Sequence, residues 1–214
     1  MSRRQFLTST ISAFACLSTS IAQEPEKKKI YLTIDDGPRN YMEEILEVLG
    51  ENKAVFYIVG EQIKTKKGFE LACKALTQGH ILGNHSYSHP QFSKISLEKA
   101  KNEILKTDIL INEAHMITEI PRTHKLFRFP YGTRNKKAEE FLKEQEFNTQ
   151  FWDCDTSDWR YYSKVSPRSL DSIMKNCRQA KDSDIVLCHD KPITAKYVVP
   201  FYVNSPEYEL VLPA

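Results

Sequence analysis

The sequence has no run of about 18 apolar residues, so it offers no helix able to span a bilayer. Nor does it carry an excess of charge of either sign. Its 30 basic and 28 acidic side chains leave a net +2, and setting Arg3 and Arg4 aside leaves 28 against 28. That balance argues against a nucleic-acid binder relying on a broad basic field. Five cysteines in 214 residues are too few for a disulfide scaffold, and a chain this long buries a core without one. There is no internal repeat and no second compositional block, which sets the expectation of one domain. The same unremarkable composition sets no oligomeric state.

Acids are also absent from the first 22 residues, where Arg3 and Arg4 precede an uncharged run from Gln5 to Ala22. Ser20, Ile21 and Ala22 supply small residues where a signal peptidase reads. Residues 1–22 are therefore read as an export signal, placing the mature chain in the periplasm or outside the cell of a bacterium. Ser2-Arg3-Arg4-Gln5-Phe6-Leu7 resembles a twin-arginine signal; a general secretory signal is the other reading of the same residues. Residues 23–29, with the run Glu-Pro-Glu-Lys-Lys-Lys, read as a solvated linker, and residues 30–214 as the domain.

Within the domain, strand-like and helix-like segments alternate. Strands are expected at Ile30–Ile34, Ala54–Val59, His80–Gly83, Leu126–Phe129, Phe147–Asp153, Ile185–Cys188 and Tyr208–Leu212. Between them, apolar residues recur at helical spacing: Met42, Ile45, Leu46 and Leu49, then Phe69, Ala72, Cys73 and Leu76. A long helix around Leu97–Ala114 follows, then stripes at Ala138, Phe141 and Leu142 and at Leu170, Ile173, Met174 and Cys177. A last short helix is expected over Thr194–Val203, interrupted by Pro200. Alternation of this kind predicts right-handed βαβ units on a parallel sheet. Seven units in so short a domain predict an α/β fold of distorted, incomplete (β/α)7 barrel type.

The unusual polar residues all fall where these strands end. Asp35 and Asp36 close the first strand, and His85 and His89 follow the third. Arg128 and Tyr131 close the fourth, Asp155 and Asp158 follow the fifth, and His189 with Asp190 ends the sixth. In a β/α barrel that is the face on which active sites are built. Singly, each signal has a bland reading: Asp-Asp-Gly is usually a turn, and a buried Arg–Asp pair is more often structural. Together, two imidazoles and a carboxylate with open positions suit a divalent metal, Zn2+ first, with Fe2+ or Co2+ as alternatives. His80 is a third imidazole nearby, tempting as a ligand. Cys73 and Cys177 read as core, while spacing alone sets no pairing for Cys154 and Cys188. Tyr161 and Tyr162 could stack on sugar rings or cover the core edge.

Five ordered segments carry a family resemblance: Thr33-Ile34-Asp35-Asp36-Gly37-Pro38, His85-Ser86-Tyr87-Ser88-His89, Arg128-Phe129-Pro130-Tyr131-Gly132, Asp155-Thr156-Ser157-Asp158-Trp159 and Leu187-Cys188-His189. They resemble the motifs of the NodB-type polysaccharide deacetylases, carbohydrate esterase family four, with Ile34 where that family usually has Phe. The resemblance implies that Asp36, His85 and His89 hold the metal and that Asp35 is the general base, oriented by Arg128. It implies that the Tyr131 backbone N–H stabilises the oxyanion and that His189, backed by Asp158, protonates the leaving group. Trp159 and Leu187 would pocket the acetyl methyl group. The implied substrate is an acetylated polysaccharide or oligosaccharide such as peptidoglycan, a chitin-like polymer or poly-N-acetylglucosamine. An O-acetyl esterase of xylan type and a catalytically silent glycan binder are the alternatives.

Overall fold

The computed structural model describes residues 26–213; the expected export signal and the first linker residues lie outside them. Eight strands alternate with helices: β1 (Lys28–Gly37), β2 (Val55–Ile58), β3 (Ile81–Asn84), β4 (Leu126–Phe127), β5 (Asn148–Thr149), β6 (Cys154–Asp155), β7 (Ile185–His189) and β8 (Tyr208–Leu210). The main helices are α1 (Met42–Leu49), α2 (Gly60–Ile63), α3 (Lys66–Thr77), α4 (Leu97–Thr118), α5 (Lys136–Glu144), α6 (Leu170–Cys177) and α7 (Val199–Val203). The sheet is parallel throughout and runs β5-β4-β3-β2-β1-β7-β6, with β8 alongside Lys28–Ile30 of β1. The edge strands β5 and β6 are not neighbours in this order, so the fold is the open, incomplete (β/α) barrel expected.

Strand ends shift by one to three residues from the sequence reading, and two elements differ from it for a physical reason. Of the single strand expected over Phe147–Asp153 only Asn148–Thr149 forms, as β5 on β4, and the chain then leaves the sheet before β6, just past the expected span, pairs with β7 at the opposite edge. The carbonyls of Gln150 and Phe151 accept from the Arg128 guanidinium, so they are taken by a side chain at the seam of the barrel. Pro200 does not interrupt the last helix. A π-helical turn, Thr194–Val198, feeds α7, and Pro200 stands in its first turn, where a missing N–H costs nothing.

Strand alternation separates core from site. Ile30, Leu32 and Ile34 of β1 join the core shared with Met42, Ile45, Leu46 and Leu49 of α1 and Leu71, Ala72, Ala75 and Leu76 of α3. Burying each of the larger side chains among these contributes about 1.5–3 kcal/mol. The residues that alternate with them, Thr33 and Asp35, face the barrel interior, where both meet Arg128. Thr65, Ser96, Asn135 and Ser169 cap α3, α4, α5 and α6 by accepting an N–H of the first turn. The thiols of Cys73, Cys154, Cys177 and Cys188 are all free. Among the described residues, no helix is long and apolar enough to cross a membrane.

Candidate active site

Adjacent residues of a regular strand point to opposite faces of a sheet. Asp35 and Asp36 escape that rule. The β1–β2 register slips between Ile34 and Gly37, and Asp36 adopts a left-handed backbone with φ 71°. Both carboxylates therefore reach one imidazole, with Asp35 Oδ2 3.5 Å and Asp36 Oδ1 3.8 Å from His85 Nε2. Four more non-glycine residues around the site share left-handed φ, namely Ser86, His89, Tyr131 and Ser157. Such conformations cost about 1–3 kcal/mol each and cluster where a site demands them.

His85 follows β3 directly and is buried. Its Nδ1 pairs with the Arg128 carbonyl at 2.8 Å. A carbonyl only accepts, so Nδ1 carries the proton and Nε2 keeps its lone pair toward the two aspartates. His89 is brought back by a tight loop. Ser86 N–H donates to Asn84 Oδ1 and His89 N–H to Ser86 Oγ, which leaves His89 Nε2 3.1 Å from Asp36 Oδ1. The same loop is held from outside by Glu103 of α4, whose carboxylate accepts from the N–H groups of Tyr87 and Ser88 and from the Ser88 hydroxyl.

Arg128 is fully buried and spends its guanidinium on four partners. Nη1 donates to Asp35 Oδ1 at 2.8 Å and to Thr33 Oγ1 at 2.7 Å, Nη2 to the Phe151 carbonyl and Nε to that of Gln150. Its plane lies over the Tyr57 ring, 4.0 Å from the centroid. The Tyr57 ring itself covers Gly83, where any Cβ would come within 2.6 Å of it. Beyond Arg128, Tyr131 exposes its side chain and packs edge-on to His89 at 4.5 Å.

His189 closes β7 directly beside Asp35 of β1, and behind it Asp158, completely buried, accepts four hydrogen bonds. His189 Nδ1 lies 2.8 Å from Oδ1, which also takes the Trp159 N–H, while the His189 N–H and the Thr194 hydroxyl meet Oδ2. Burial works against charge on His189, but the Asp158 carboxylate outweighs it and pushes the imidazole up to about 9. Burial likewise opposes charge on Asp36, and the surrounding imidazoles of His89, His189 and His85 outweigh it, holding that carboxyl well below the usual range.

These groups line one cleft of about 560 Å3, which takes in Asp35, Asp36, His85, His89, Tyr131 and His189. Trp159, Leu187 and Asp155 also line it. Arg128 and Asp158 stand behind Asp35 and His189, respectively. His80 sits at the far end of β3, where its Nδ1 accepts the Ala54 N–H; burial lowers it to about 4, the behaviour of a neutral structural histidine. Tyr161 and Tyr162 pack edge to face on each other, outside the cleft lining. Sequence reasoning missed Arg39, Trp152 and Lys191 in the lining and Thr194 and Glu103 in support. Glu103 left a readable signal, an acid on the buried stripe formed by Ala100, Ile104, Ile111 and Ala114 of α4.

The Asp36, His85 and His89 ligand atoms lie within 4.8 Å of one another. Donors bound about 2.1 Å from one ion sit roughly 3–4 Å apart, which the 3.1 and 3.8 Å separations match. Asp36 Oδ1 is buried without a hydrogen-bond partner: it nears His89 without hydrogen-bond geometry, as a ligand would. One carboxylate and two imidazoles beside an open cleft fit a divalent ion with free positions. Because Glu103 holds the loop between the two histidines, Glu103→Gln is expected to weaken Zn2+ binding about tenfold, the usual size for a residue that supports ligands from behind. Isothermal titration measures it, and an unchanged affinity would show that the loop keeps its shape alone.

The polysaccharide deacetylase family model matches residues 22–149. A peptidoglycan-N-acetylglucosamine deacetylase of Bacillus cereus is 31% identical over 170 residues, covering 78% of this chain and 57% of that protein. The chain thus spans little more than half the length of that relative. A family 4 carbohydrate esterase from Streptomyces lividans, solved with acetate, superposes with a TM-score of 0.74 over 87% of this chain and 93% of that one; at 23% identity it speaks for the fold. A CE4 family pseudoenzyme from Bacillus anthracis superposes with a TM-score of 0.71 at 25% identity, over 87% of this chain and 64% of that one. With more than half its length matched by the family model, and with that family's fold, the chain belongs to the polysaccharide deacetylases.

Proposed function

We propose that the chain is an exported, metal-dependent deacetylase that hydrolyses the acetamide of N-acetylated amino sugars in a polymer, with peptidoglycan as the leading candidate. The observation that carries the reading is the meeting in one cleft of two acid–base units, Asp35 on Arg128 and His189 on Asp158, with the Asp36–His85–His89 trio. The trio would hold Zn2+, or Fe2+ or Co2+, and the ion would supply Lewis acidity toward a water and the acetamide oxygen. Asp35 takes the proton of the attacking water, with Arg128 keeping one carboxylate oxygen occupied so that the other faces the reaction. The Tyr131 N–H, held by its left-handed backbone, donates to the oxyanion. His189, kept protonated by Asp158, delivers a proton to the departing amine. Leu187 and Trp159 flank the acetyl methyl group. Export rests on the Arg3-Arg4 leader.

A pseudoenzyme among the neighbours makes turnover the quantity to measure. Acetate release from N-acetylglucosamine oligomers and peptidoglycan is expected with Zn2+ and is expected to fall to background on chelation, returning when the ion is restored. Release from O-acetylated xylan exceeding that from the amides would favour the esterase reading instead. Saturable glycan binding without acetate from metal-loaded protein would mark a binding protein.

A further inference from the structure

A second cavity, of about 330 Å3, adjoins the cleft and is walled by Asn40, Gln62, Thr65 and Lys67 among others. The two share Arg39, which stands on the ridge between them. Lys191 lines the cleft side. The loop that carries Arg39 is fixed: Asp190, itself buried, accepts the Arg39 N–H on one carboxylate oxygen and the Tyr41 N–H on the other. The Arg39 side chain is not similarly occupied. Its Nε is buried without a hydrogen-bond partner, and among the described residues neither Arg39 nor Lys191 has a carboxylate within ion-pair distance. Lys67, by contrast, lies 3.8 Å from Glu43. Buried donors without acceptors are rare in folded proteins, and the carboxylates that share the cleft wall with Arg39, those of Asp35, Asp36 and Asp155, all stand beyond ion-pair distance of it.

A guanidinium presents its donors as a planar fork that matches a carboxylate, whereas neutral hydroxyls are served by amides and hydroxyls such as those of Asn40, Gln62 and Thr65. We infer that Arg39, assisted by Lys191, receives a carboxylate carried by the polymer next to the acetamido group under attack, so that the chain selects an acidic amino-sugar polymer over a neutral one. This rests on the deacetylase reading and adds a specificity determinant to it. Two sources present the same chemistry: an acid ether-linked to a sugar ring, or a peptide attached to the strand.

The test compares acetate release by the Zn2+-loaded protein on peptide-free peptidoglycan strands, peptide-bearing strands, and each after methyl esterification of its carboxyls. The free acids are expected to give kcat/KM about tenfold above their esters, chiefly through KM, in the range of a single cleft ion pair. Arg39→Gln brings that ratio close to one, Arg39→Lys restores part of it, and Lys191→Gln lowers it less. A preference already present on peptide-free strands assigns the carboxylate to the ring; one confined to peptide-bearing strands assigns it to the peptide. A ratio near one in the unaltered protein, or a ratio that Arg39→Gln leaves in place, overturns the inference. If no substrate releases acetate, the deacetylase reading fails by itself; binding constants for free and esterified strands then decide this inference, and equal constants overturn it.

Discussion

Asp35→Asn is expected to lower kcat about 10³-fold, the usual scale for losing a general base, while leaving Zn2+ affinity within about tenfold. Asparagine matches aspartate in size, and its amide oxygen can still accept from Arg128 Nη1, now 2.8 Å from Asp35 Oδ1. What it cannot do is take a proton. The substitution also removes the only carboxylate paired with a fully buried guanidinium among the described residues. The carbonyls of Gln150 and Phe151, the Thr33 hydroxyl and the Tyr57 ring remain as partners, so Arg128 stays hydrogen-bonded. Some stability is still lost, because a buried charge keeps its dipoles but not its counter-ion. Measuring turnover, thermal melting and Zn2+ titration on one preparation separates these effects. A folded, metal-loaded Asp35→Asn protein with full turnover would end the assignment of Asp35 as base.

Asp158→Asn is expected to cost about 10²-fold in kcat/KM at neutral pH and to displace the alkaline limb of the pH profile. His189 is raised to about 9 against burial, chiefly by the Asp158 carboxylate, with Asp35 and Asp36 adding to it. The unaltered protein is therefore expected to keep its imidazolium up to about pH 9 and to lose turnover above it. Without the Asp158 charge, burial is opposed only by the more distant acids, and the limb moves toward lower pH. The stability sign follows from the same shift. A histidine whose folded pKa lies above its unfolded value contributes stability that is complete below the unfolded value of about 6.5. That contribution is lost as pH rises toward 9. Melting temperature should thus fall between these pH values in the unaltered protein and fall less in Asp158→Asn. An alkaline limb that does not move on this substitution would remove His189 from the proton-transfer role.

Much of this molecule is written locally. The alternation of β-rich runs with 3.6-residue stripes determines parallel βαβ units, because each stripe has one apolar face to bury and a sheet is what it can be buried against. The placement of every marked polar residue at a strand's C-terminal end then determines that they share a face. The early end of the strand expected over Phe147–Asp153 was not legible, since it depends on Arg128, some 20 residues earlier, claiming the carbonyls at the barrel seam. Thr194 was hidden for the same kind of reason, acting on a carboxylate from another element, whereas Glu103 left a local sign, an acid on a buried stripe, that did not say which loop it holds. The Asp35–Asp36 pair shows the boundary most sharply. Their identities and adjacency are facts of sequence, and adjacency alone would send them to opposite faces of β1. Only the slipped register and the left-handed turn at Asp36 bring both carboxylates to His85. Side-chain period is a local property of the chain, whereas a strained backbone persists only where surrounding packing and hydrogen bonds over-determine it.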